Sequence, residues 1–432
     1  MLNKIIHNST VNFNFRIINI LIIILFQSIL ARTLGPELRG EFAVCFTFLN
    51  FILILFSLGS DYSFTYFVSK DNVPDAFFWM ILFSTLSFII SLPFTYFLPR
   101  IDLEFFRKTS ISNFYILNLI MPFAFFWQNL IGYILGKRDF FLWNISQCVL
   151  NMSILIAYSL LIIYVATSVK IALFAILFGY LFSITIIVSY LHKRAKFSSF
   201  SLRIPAKFID FLNMLKYGLK LLIGRVTLVL NFQVGTIIGA FYLTTGELGV
   251  FSVILSVIYK LFTLPDAFIQ TLIPYSASSK DGTAKEMIYC MHIIGILMFL
   301  ILILVALLAK IIIVVLFSEK YLIGLRTFLV MLLGVFFRLP AKLFSPYFLG
   351  TNRPELSSLI TSLTFISLIL LMIFLIPHYG IVGAGIAHSL AFLVETIATV
   401  AIFSKLTGFG LNYILIPRPF KLLSAGLKFL KQ

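Results

Sequence analysis

The chain has 432 residues, of which 61% are hydrophobic and only 11% charged, and its mean hydropathy is +1.07. A soluble fold of this length could not bury so much apolar surface, so the composition excludes a soluble protein and indicates one that uses the lipid bilayer as its solvent. The formal net charge of +17 would suggest nucleic-acid binding in a soluble protein, but in a membrane protein its meaning depends on how the cations are distributed between segments.

Long, uninterrupted apolar runs predict membrane-spanning helices rather than the alternating strands of a β-barrel. The first run is too long for a signal-peptide core and lacks a small-residue cleavage site, so we interpret it as an uncleaved helix. At roughly 36 residues per helix and loop, the length allows about twelve crossings. The predicted spans are 12–33, 42–66, 76–98, 112–135, 140–165, 171–191, 220–242, 249–273, 287–309, 324–348, 356–376 and 381–403.

The loop charges predict the orientation of these spans. The longest polar connection and the C-terminal tail are rich in Lys and Arg, whereas the short loops 244–248 and 377–380 have none. Because cationic loops stay in the cytoplasm, both termini are predicted to be cytoplasmic. The cations concerned are Lys193, Arg194, Lys196, Arg203 and Lys207 in the connection, and Lys405, Arg418, Lys421, Lys428 and Lys431 in the tail.

The same connection divides the chain into two predicted lobes of six helices, 1–200 and 201–403, followed by a basic amphipathic tail, 404–432. Six is even, so the lobes share an orientation, as in a parallel repeat around an axis along the membrane normal. Three matches in the same order support the repeat: ARTLGPELRGEF at 31 with AFYLTTGELGVF at 240, SKDN at 69 with SKDG at 279, and YILG at 133 with YFLG at 347. In the first stretch the charges nearly cancel, which favours a polar outward turn rather than a ligand site.

Motifs of catalysis or metal binding are absent from the sequence. It contains no Walker A loop, no GxSxG and no HExxH, and no segment outside the spans is long enough for a catalytic domain. The three cysteines lack metal-ligand spacing. We therefore predict a protein that is not an enzyme, with no catalytic residue, no metal and no cofactor.

Cations at mid-depth are the most informative feature of the helical faces. Lys260 shares a face of the eighth predicted span with Ser252 and Ser256, and Arg338 and Lys342 are one turn apart on the tenth. An ionised group there costs about 2.5–3.5 kcal/mol or more unless it has a partner or lies in a watery cavity. These positive groups favour an anionic ligand, and Arg and Lys both suit phosphate.

Polar residues on other spans extend the candidate set. The substrate-binding candidates are Lys260, Arg338, Lys342, Arg225, Lys220, Arg16, Asn231, Asn144 and Asn151. Arg16 and Lys220 could instead extend to the lipid headgroups. The asparagines could simply hydrogen-bond to neighbouring helices.

Three acids within the spans, Asp61, Asp266 and Glu395, are candidates for binding H⁺ or Na⁺. Asp61 could instead form a structural ion pair. An inside-negative membrane potential would by itself favour outward movement of an anion, so the driving force stays open between the potential and a coupling ion.

Five stretches carry a family resemblance: ARTLGPELRGEF (31–42), FSLGSDYSFTYFVSK (56–70), GELGVFSVILSVIYKLFTLPDAFIQTLIP (246–274), LFSEKYLIGLRTFLVMLLGVF (316–336) and IPHYGIVGAGIAHSLAFLVE (376–395). Together the chain resembles the Wzx-type polysaccharide flippases of the MATE-like (MOP) superfamily, along nearly its whole length. The resemblance implies an all-α polytopic fold with two six-helix lobes around a central cavity lined by the cations of spans 1, 7, 8 and 10.

The resemblance also implies a cargo and a location. The cargo would be an undecaprenyl-diphosphate-linked oligosaccharide, an O-antigen or similar repeat unit, moved from the inner to the outer leaflet of the bacterial inner membrane. Expected partners are membrane lipids and other assembly proteins such as a polymerase and a chain-length regulator, and no nucleic acid. The main alternative is a MATE-type antiporter of cationic drugs, although span 1 lacks the acidic residue common in that branch. A repeat-unit polymerase is disfavoured by the short outward loops, and a non-transporting scaffold by the mid-depth cations.

Overall fold

The computed structural model describes residues 2–70, 75–165, 167–193, 208–263, 265–266, 283–351 and 353–415. These residues form α-helices and short connections, with no strand among them. The helices are α1 (Leu2–Leu55), α2 (Ser60–Ser69), α3 (Ala76–Phe97), α4 (Glu104–Arg107), α5 (Ile111–Gly136), α6 (Phe140–Tyr164), α7 (Val169–Lys193), α8 (Phe208–Tyr242), α9 (Thr245–Leu261), α10 (Thr283–Leu307), α11 (Ala309–Leu316), α12 (Leu325–Gly350), α13 (Pro354–Thr407) and α14 (Leu411–Leu415).

Two of the helices, α1 and α13, each consist of two helical segments joined by a sharp turn. The backbone of α1 leaves helical geometry at Gly35 (φ 70°), and that of α13 does so at Gly380 (φ 54°). Glycine adopts positive φ without steric strain, and Pro36 has the φ that a first helical turn requires. These turns separate the predicted spans 12–33 from 42–66 and 356–376 from 381–403.

A third break was not expected from the sequence. Leu58 and Gly59 both have positive φ, so α1 ends at Leu55 and α2 begins at Ser60. The structure therefore divides the predicted span 42–66 in two. Gly218 of α8 lies against this break, where a Cβ on Gly59 would come within 2.1 Å of the Gly218 carbonyl oxygen.

Among the residues that the structure describes, eight helical segments are long and apolar enough to cross a membrane. Two of them, Phe15–Leu55 and Glu355–Thr407, each cover a pair of predicted spans, so the eight account for ten predictions. Predicted spans 220–242 and 249–273, in α8 and α9, are not among the eight, and the count of twelve stays a prediction. Large apolar side chains such as Leu307 and Phe374 are exposed on these helices, as expected where lipid is the solvent. The chain is a multi-pass helical membrane protein.

The chain divides into two compact units, Met1–Gly249 and Val250–Gln432. In the first unit, α8 packs on α1 and α2, and the Ser63 hydroxyl donates a hydrogen bond to the Met214 carbonyl oxygen (2.6 Å). The predicted lobe boundary at 200/201 stays a prediction, as does the assignment of 404–432, most of which lies outside the described residues.

In the second unit, α12 lies along the second half of α13. The Ser389 hydroxyl donates to the Val330 carbonyl oxygen (2.9 Å), and the Thr396 hydroxyl donates to that of Phe337 (2.5 Å). Gly334 permits this close approach, since a Cβ there would come within 2.8 Å of the Ser389 Cα. The two donors are seven residues apart on α13, and the two acceptors are seven residues apart on α12. The two hydrogen bonds therefore lie two turns apart and fix the register between the helices. The residues next to the second bond, Arg338 and Glu395, are thereby brought face to face.

Candidate functional site

An enclosed ion pair joins α12 to α13. The Arg338 Nε lies 2.8 Å from Glu395 Oε2, and its Nη2 donates a hydrogen bond to Oε1 (3.3 Å). The two side chains are only 15% and 13% exposed. Enclosing an ion carries a desolvation penalty of several kcal/mol, so each group depends on the other to remain charged inside the bilayer.

A second ion pair lies one turn along α12. The Lys342 ammonium pairs with the Asp266 carboxylate, which follows the end of α9. Lys342 is 19% exposed, but Asp266 is 42% exposed. Because Asp266 remains accessible, this pair can open at a lower desolvation cost than the Arg338–Glu395 pair.

The rings of two phenylalanines contact the cations of both pairs. The Arg338 guanidinium carbon lies 4.4 Å from the ring centroid of Phe392 and 5.3 Å from that of Phe262. The Lys342 Nζ is 4.9 Å from the same Phe262 ring. Cation–π contacts of this kind gain strength where water is excluded. We name Arg338, Lys342, Asp266, Glu395, Phe262 and Phe392 the paired-charge cluster.

Lys260 belongs to neither pair. It is half-buried in the last turn of α9 and has no hydrogen-bond or ion-pair partner among the residues that the structure describes. Of the three predicted cations, Arg338 and Lys342 are thus offset by the carboxylates of Glu395 and Asp266, whereas Lys260 has no such partner among the described residues, so these five charges sum to +1. That surplus suits an anion more than a cation.

Sequence reasoning identified these charged residues but not their pairing. Asp266 and Glu395 were predicted as ion-binding acids and Arg338 and Lys342 as substrate-binding cations, whereas the structure places each acid on one of the cations. Helical phase shows which residues share a face but not which helix that face meets. The aromatic partners Phe262 and Phe392 were missed because apolar spans rich in phenylalanine carry no distinguishing signal.

The remaining candidates lie in the first unit, where the structure gives several of them neutral hydrogen bonds. Asn144 is buried and donates to the Phe140 carbonyl oxygen one turn earlier (2.7 Å). Asn151 donates to Asn19 Oδ1 on α1 (2.8 Å) and to the Gln147 carbonyl oxygen (3.1 Å). These contacts bind helices together, which is the alternative that the sequence left open.

The charged candidates of the first unit differ in exposure. Lys220 is exposed on α8, as expected for a cation that extends to the headgroups, and Arg16 and Asn231 are half-buried. Asp61 lies half-buried in the first turn of α2. The side chain of Arg225 lies outside the described residues. None of these assignments is tested by the contacts of the first unit, and all stay predictions.

An apolar cavity of about 410 Å³ lies between α10, α12 and α13 in the second unit, and Phe337 and Thr396 are among its lining residues. No residue of the paired-charge cluster lines it. Arg338 and Glu395 are their immediate neighbours in sequence, but consecutive residues of an α-helix point about 100° apart. The cavity therefore offers room for an apolar group rather than for an anion.

Comparison with known proteins places this geometry in context. Residues 5–280, well over half of the chain, match the family model described as polysaccharide biosynthesis protein. No sequence among the curated proteins matches. Among solved structures, the lipid II flippase MurJ in an inward closed conformation superposes with a TM-score of 0.70 at 17% identity, covering 98% of this chain and 93% of that one.

Two transporters of the MOP superfamily have the same fold. An inward-facing multidrug resistance MATE transporter has a TM-score of 0.69 at 13% identity, over 93% of this chain and 98% of that one. A transporter from Pyrococcus furiosus, whose binding pocket is described as having reverse polarity, has a TM-score of 0.62 at 14% identity, over 94% and 95% of the two chains. At such identities these likenesses establish the fold alone. Fold and family model agree with the sequence-based prediction, and the chain belongs to the polysaccharide biosynthesis protein family, with the fold of MOP-superfamily flippases and transporters.

Proposed function

We propose that the protein moves an undecaprenyl-diphosphate-linked oligosaccharide from the inner to the outer leaflet of the bacterial inner membrane by alternating access. The observation that carries this proposal is the net positive charge of Lys260 and the paired-charge cluster, whose Arg338, Lys342 and Glu395 lie on segments long and apolar enough to cross a membrane. A diphosphate would supply the missing negative charge. The family and the fold shared with a lipid II flippase support this class of cargo.

In this proposal Lys260 makes the first contact with the diphosphate, because binding there breaks no existing pair. Lys342 follows, since its partner Asp266 is the more exposed of the two carboxylates. Arg338 stays with Glu395 and the two phenylalanines, where it contributes positive potential without leaving its pair. The diphosphate headgroup thus takes the place of water at Lys260 and of the Asp266 carboxylate at Lys342, rather than entering an apolar space.

The paired acids suggest how transport could be driven. Two negative charges moving outward gain about 2.3 kcal/mol each per 100 mV of inside-negative potential, without any coupling ion. Alternatively, a proton or Na⁺ on Asp266 would release Lys342 for the phosphate, and Asp61 and Glu395 remain further candidates. Transport by Asp266→Asn that no longer depends on pH or sodium would assign the coupling to Asp266, whereas unchanged dependence would remove it from this role.

Export of cationic drugs is the competing function, because the fold of MATE transporters is equally similar. A drug exporter needs carboxylates free to meet its cation. Here the carboxylates of Glu395 and Asp266 are paired with Arg338 and Lys342, and Lys260 adds a further positive charge. The charge distribution therefore favours the anionic cargo.

Lys260→Ala tests the proposal. We expect surface polysaccharide in cells that depend on this protein to fall roughly tenfold or more, the effect of losing one charge-assisted contact. Lys310→Ala, which removes an exposed cation of α11 in the same unit, is the matched control and should leave output unchanged. Membrane insertion of both variants is checked by immunodetection. Wild-type output from an inserted Lys260→Ala protein would refute the role of the unpaired cation.

A further inference from the structure

The turn at 31–42 meets its own repeat counterpart in the structure. Gly40 lies against Thr245, where an added Cβ would come within 1.9 Å of the Thr245 carbonyl oxygen. Gly249 lies against Pro36 in the same way, with its Cβ position 1.9 Å from the Pro36 carbonyl oxygen. Gly249 stands 209 residues after Gly40, and Thr245 stands 209 residues after Pro36. The two halves of this contact are therefore related by the sequence repeat.

Only glycine permits this approach of backbone to backbone. A glycine within a helix destabilises it by about 1 kcal/mol relative to alanine, so its presence at both positions needs a structural reason. Gly246 continues the contact, with its Cβ position 3.7 Å from Glu37 Cγ. We name 36–40 with 245–249 the first glycine contact.

Side-chain hydrogen bonds stabilise both segments of the first glycine contact. Thr244 and Glu247 form a reciprocal cap, in which the Thr244 N–H and hydroxyl donate to Glu247 Oε2 (2.9 and 2.8 Å). On the other side Arg39 is 4% exposed, and its Nη2 donates to Gln27 Oε1 (2.6 Å). The sequence predicted a polar turn here, and the structure adds that Arg39 is buried and that the turn packs against 245–249.

A second contact of the same kind lies near the opposite end of α8. A Cβ on Gly218 would come within 2.3 Å of the Leu58 carbonyl oxygen, at the break between α1 and α2. Tyr217 stacks on Tyr66 beside it, with ring centroids 4.4 Å apart. We name this region the second glycine contact. From Gly218 to its end at Tyr242, α8 rises about 36 Å, more than the thickness of the hydrocarbon core of a bilayer.

We propose that the two glycine contacts are the two gates of the transport cycle, both closed in this structure. The inference rests on the proposed alternating access, but not on the identity of the cargo. Each gate closes by direct backbone contact. Opening one end then requires that α8 and the start of α9 separate from α1 or α2.

Selective loss of each contact tests the two gates. In a protein whose native cysteines are replaced by alanine, Glu37→Cys with Gly246→Cys reports the first contact, since the side chains lie within disulfide reach. Tyr66→Cys with Tyr217→Cys reports the second through a short bifunctional thiol reagent. Gly249→Ala should reduce cross-linking of the first pair roughly tenfold and leave the second pair intact. Gly218→Ala should do the reverse.

Two glycines serve as matched controls. Gly179→Ala creates an equally close overlap, with Ile154 (2.3 Å), but away from both contacts, and Gly295→Ala enters open space. Neither should change either cross-link. If both cross-links persist in Gly249→Ala and Gly218→Ala, or if both fall together, the two-gate proposal is wrong. The cross-links need no cargo, so this outcome is independent of the Lys260→Ala result.

Discussion

Two regions of the molecule accommodate polar side chains among apolar helices, one through neutral hydrogen bonds and the other through ion pairs. Between α2, α3 and α5, Ser60 donates to Asn129 Oδ1 (2.5 Å), and Asn129 Nδ2 donates to Ser84 Oγ (3.0 Å). All these groups are neutral. In the paired-charge cluster of the second unit, by contrast, the polar side chains form two ion pairs, and Lys260 adds a cation in the last turn of α9.

The difference is the reason why we propose the second region, and not the first, as the binding site. Neutral amides and hydroxyls need only a hydrogen bond to be accommodated in a bilayer, and such bonds position helices. Ion pairs in the same surroundings are often no more stabilising than apolar residues of similar size. A fold that needed only to pack α12 on α13 would therefore gain nothing from the charges, whereas a protein that binds a diphosphate needs them.

The largest effect on stability is expected from removing one partner of the enclosed pair. Glu395→Gln leaves the Arg338 guanidinium without its carboxylate, which should lower the free energy of unfolding by about 3–5 kcal/mol. Denaturant unfolding in detergent measures the loss. The double variant Arg338→Met/Glu395→Met removes both charges and should regain at least the wild-type stability. A Glu395→Gln protein as stable as the wild type would show that this pair does not hold the cluster together.

A smaller effect is expected at the more exposed pair. Asp266→Asn should lower the free energy of unfolding by no more than about 1 kcal/mol, because solvent already screens this carboxylate. It should also tighten binding of undecaprenyl diphosphate, since Lys342 loses its competing anion. Quenching of intrinsic fluorescence on titration with the lipid measures the affinity. Weaker binding than in the wild type would contradict the exchange of Asp266 for phosphate.

In the neutral region the expected effect is smaller still. Ser84→Ala removes one acceptor from Asn129, and a hydrogen bond between membrane helices contributes about 0.6 kcal/mol on average. Surface polysaccharide output should stay at the wild-type level. A loss of output as large as that of Lys260→Ala, in a protein that still inserts, would erase the distinction between the two regions.

The smallest effect on stability is expected for an exposed ion pair outside the predicted spans. Arg107 donates two hydrogen bonds to the Asp102 carboxylate (2.6 and 2.5 Å) and holds the pKa of that group below its usual value of 3.8. The pair stabilises the folded state at neutral pH and loses this contribution as the pH falls through the lowered pKa. Because both groups are exposed, Asp102→Asn should leave the unfolding midpoint at pH 7 unchanged within error. A clear decrease would show that surface charges matter as much as enclosed ones.

Much of the fold follows from the sequence because apolar length and glycine-proline signals are local. The turns at Gly35 and Gly380 are examples. The break at Leu58–Gly59 was not predicted, because its cause is the close approach of Gly218, far away in the chain. For the same reason the tight docking of 36–40 on 245–249 could not be foreseen, although the repeat that relates the two segments is visible in the sequence.

At the candidate site, the charges were predictable but their neutralisation was not. The cost of burying Lys260, Arg338 and Lys342 marks all three as unusual from composition alone. Which of them retains a counter-charge depends on how α9, α12 and α13 meet. Only the structure distinguishes Lys260, which lacks a partner among the described residues, from the two paired cations.

The central claim is that the translocated molecule is an anionic, lipid-linked saccharide. Its most direct test is reconstitution of the purified protein into liposomes with a fluorescent undecaprenyl-diphosphate-linked sugar in one leaflet, under an imposed membrane potential. We predict that the wild-type protein moves the lipid between leaflets, that Lys260→Ala does so roughly tenfold more slowly, and that Lys310→Ala matches the wild type. Movement of a cationic dye without movement of the lipid would contradict the account and favour the drug-exporting alternative.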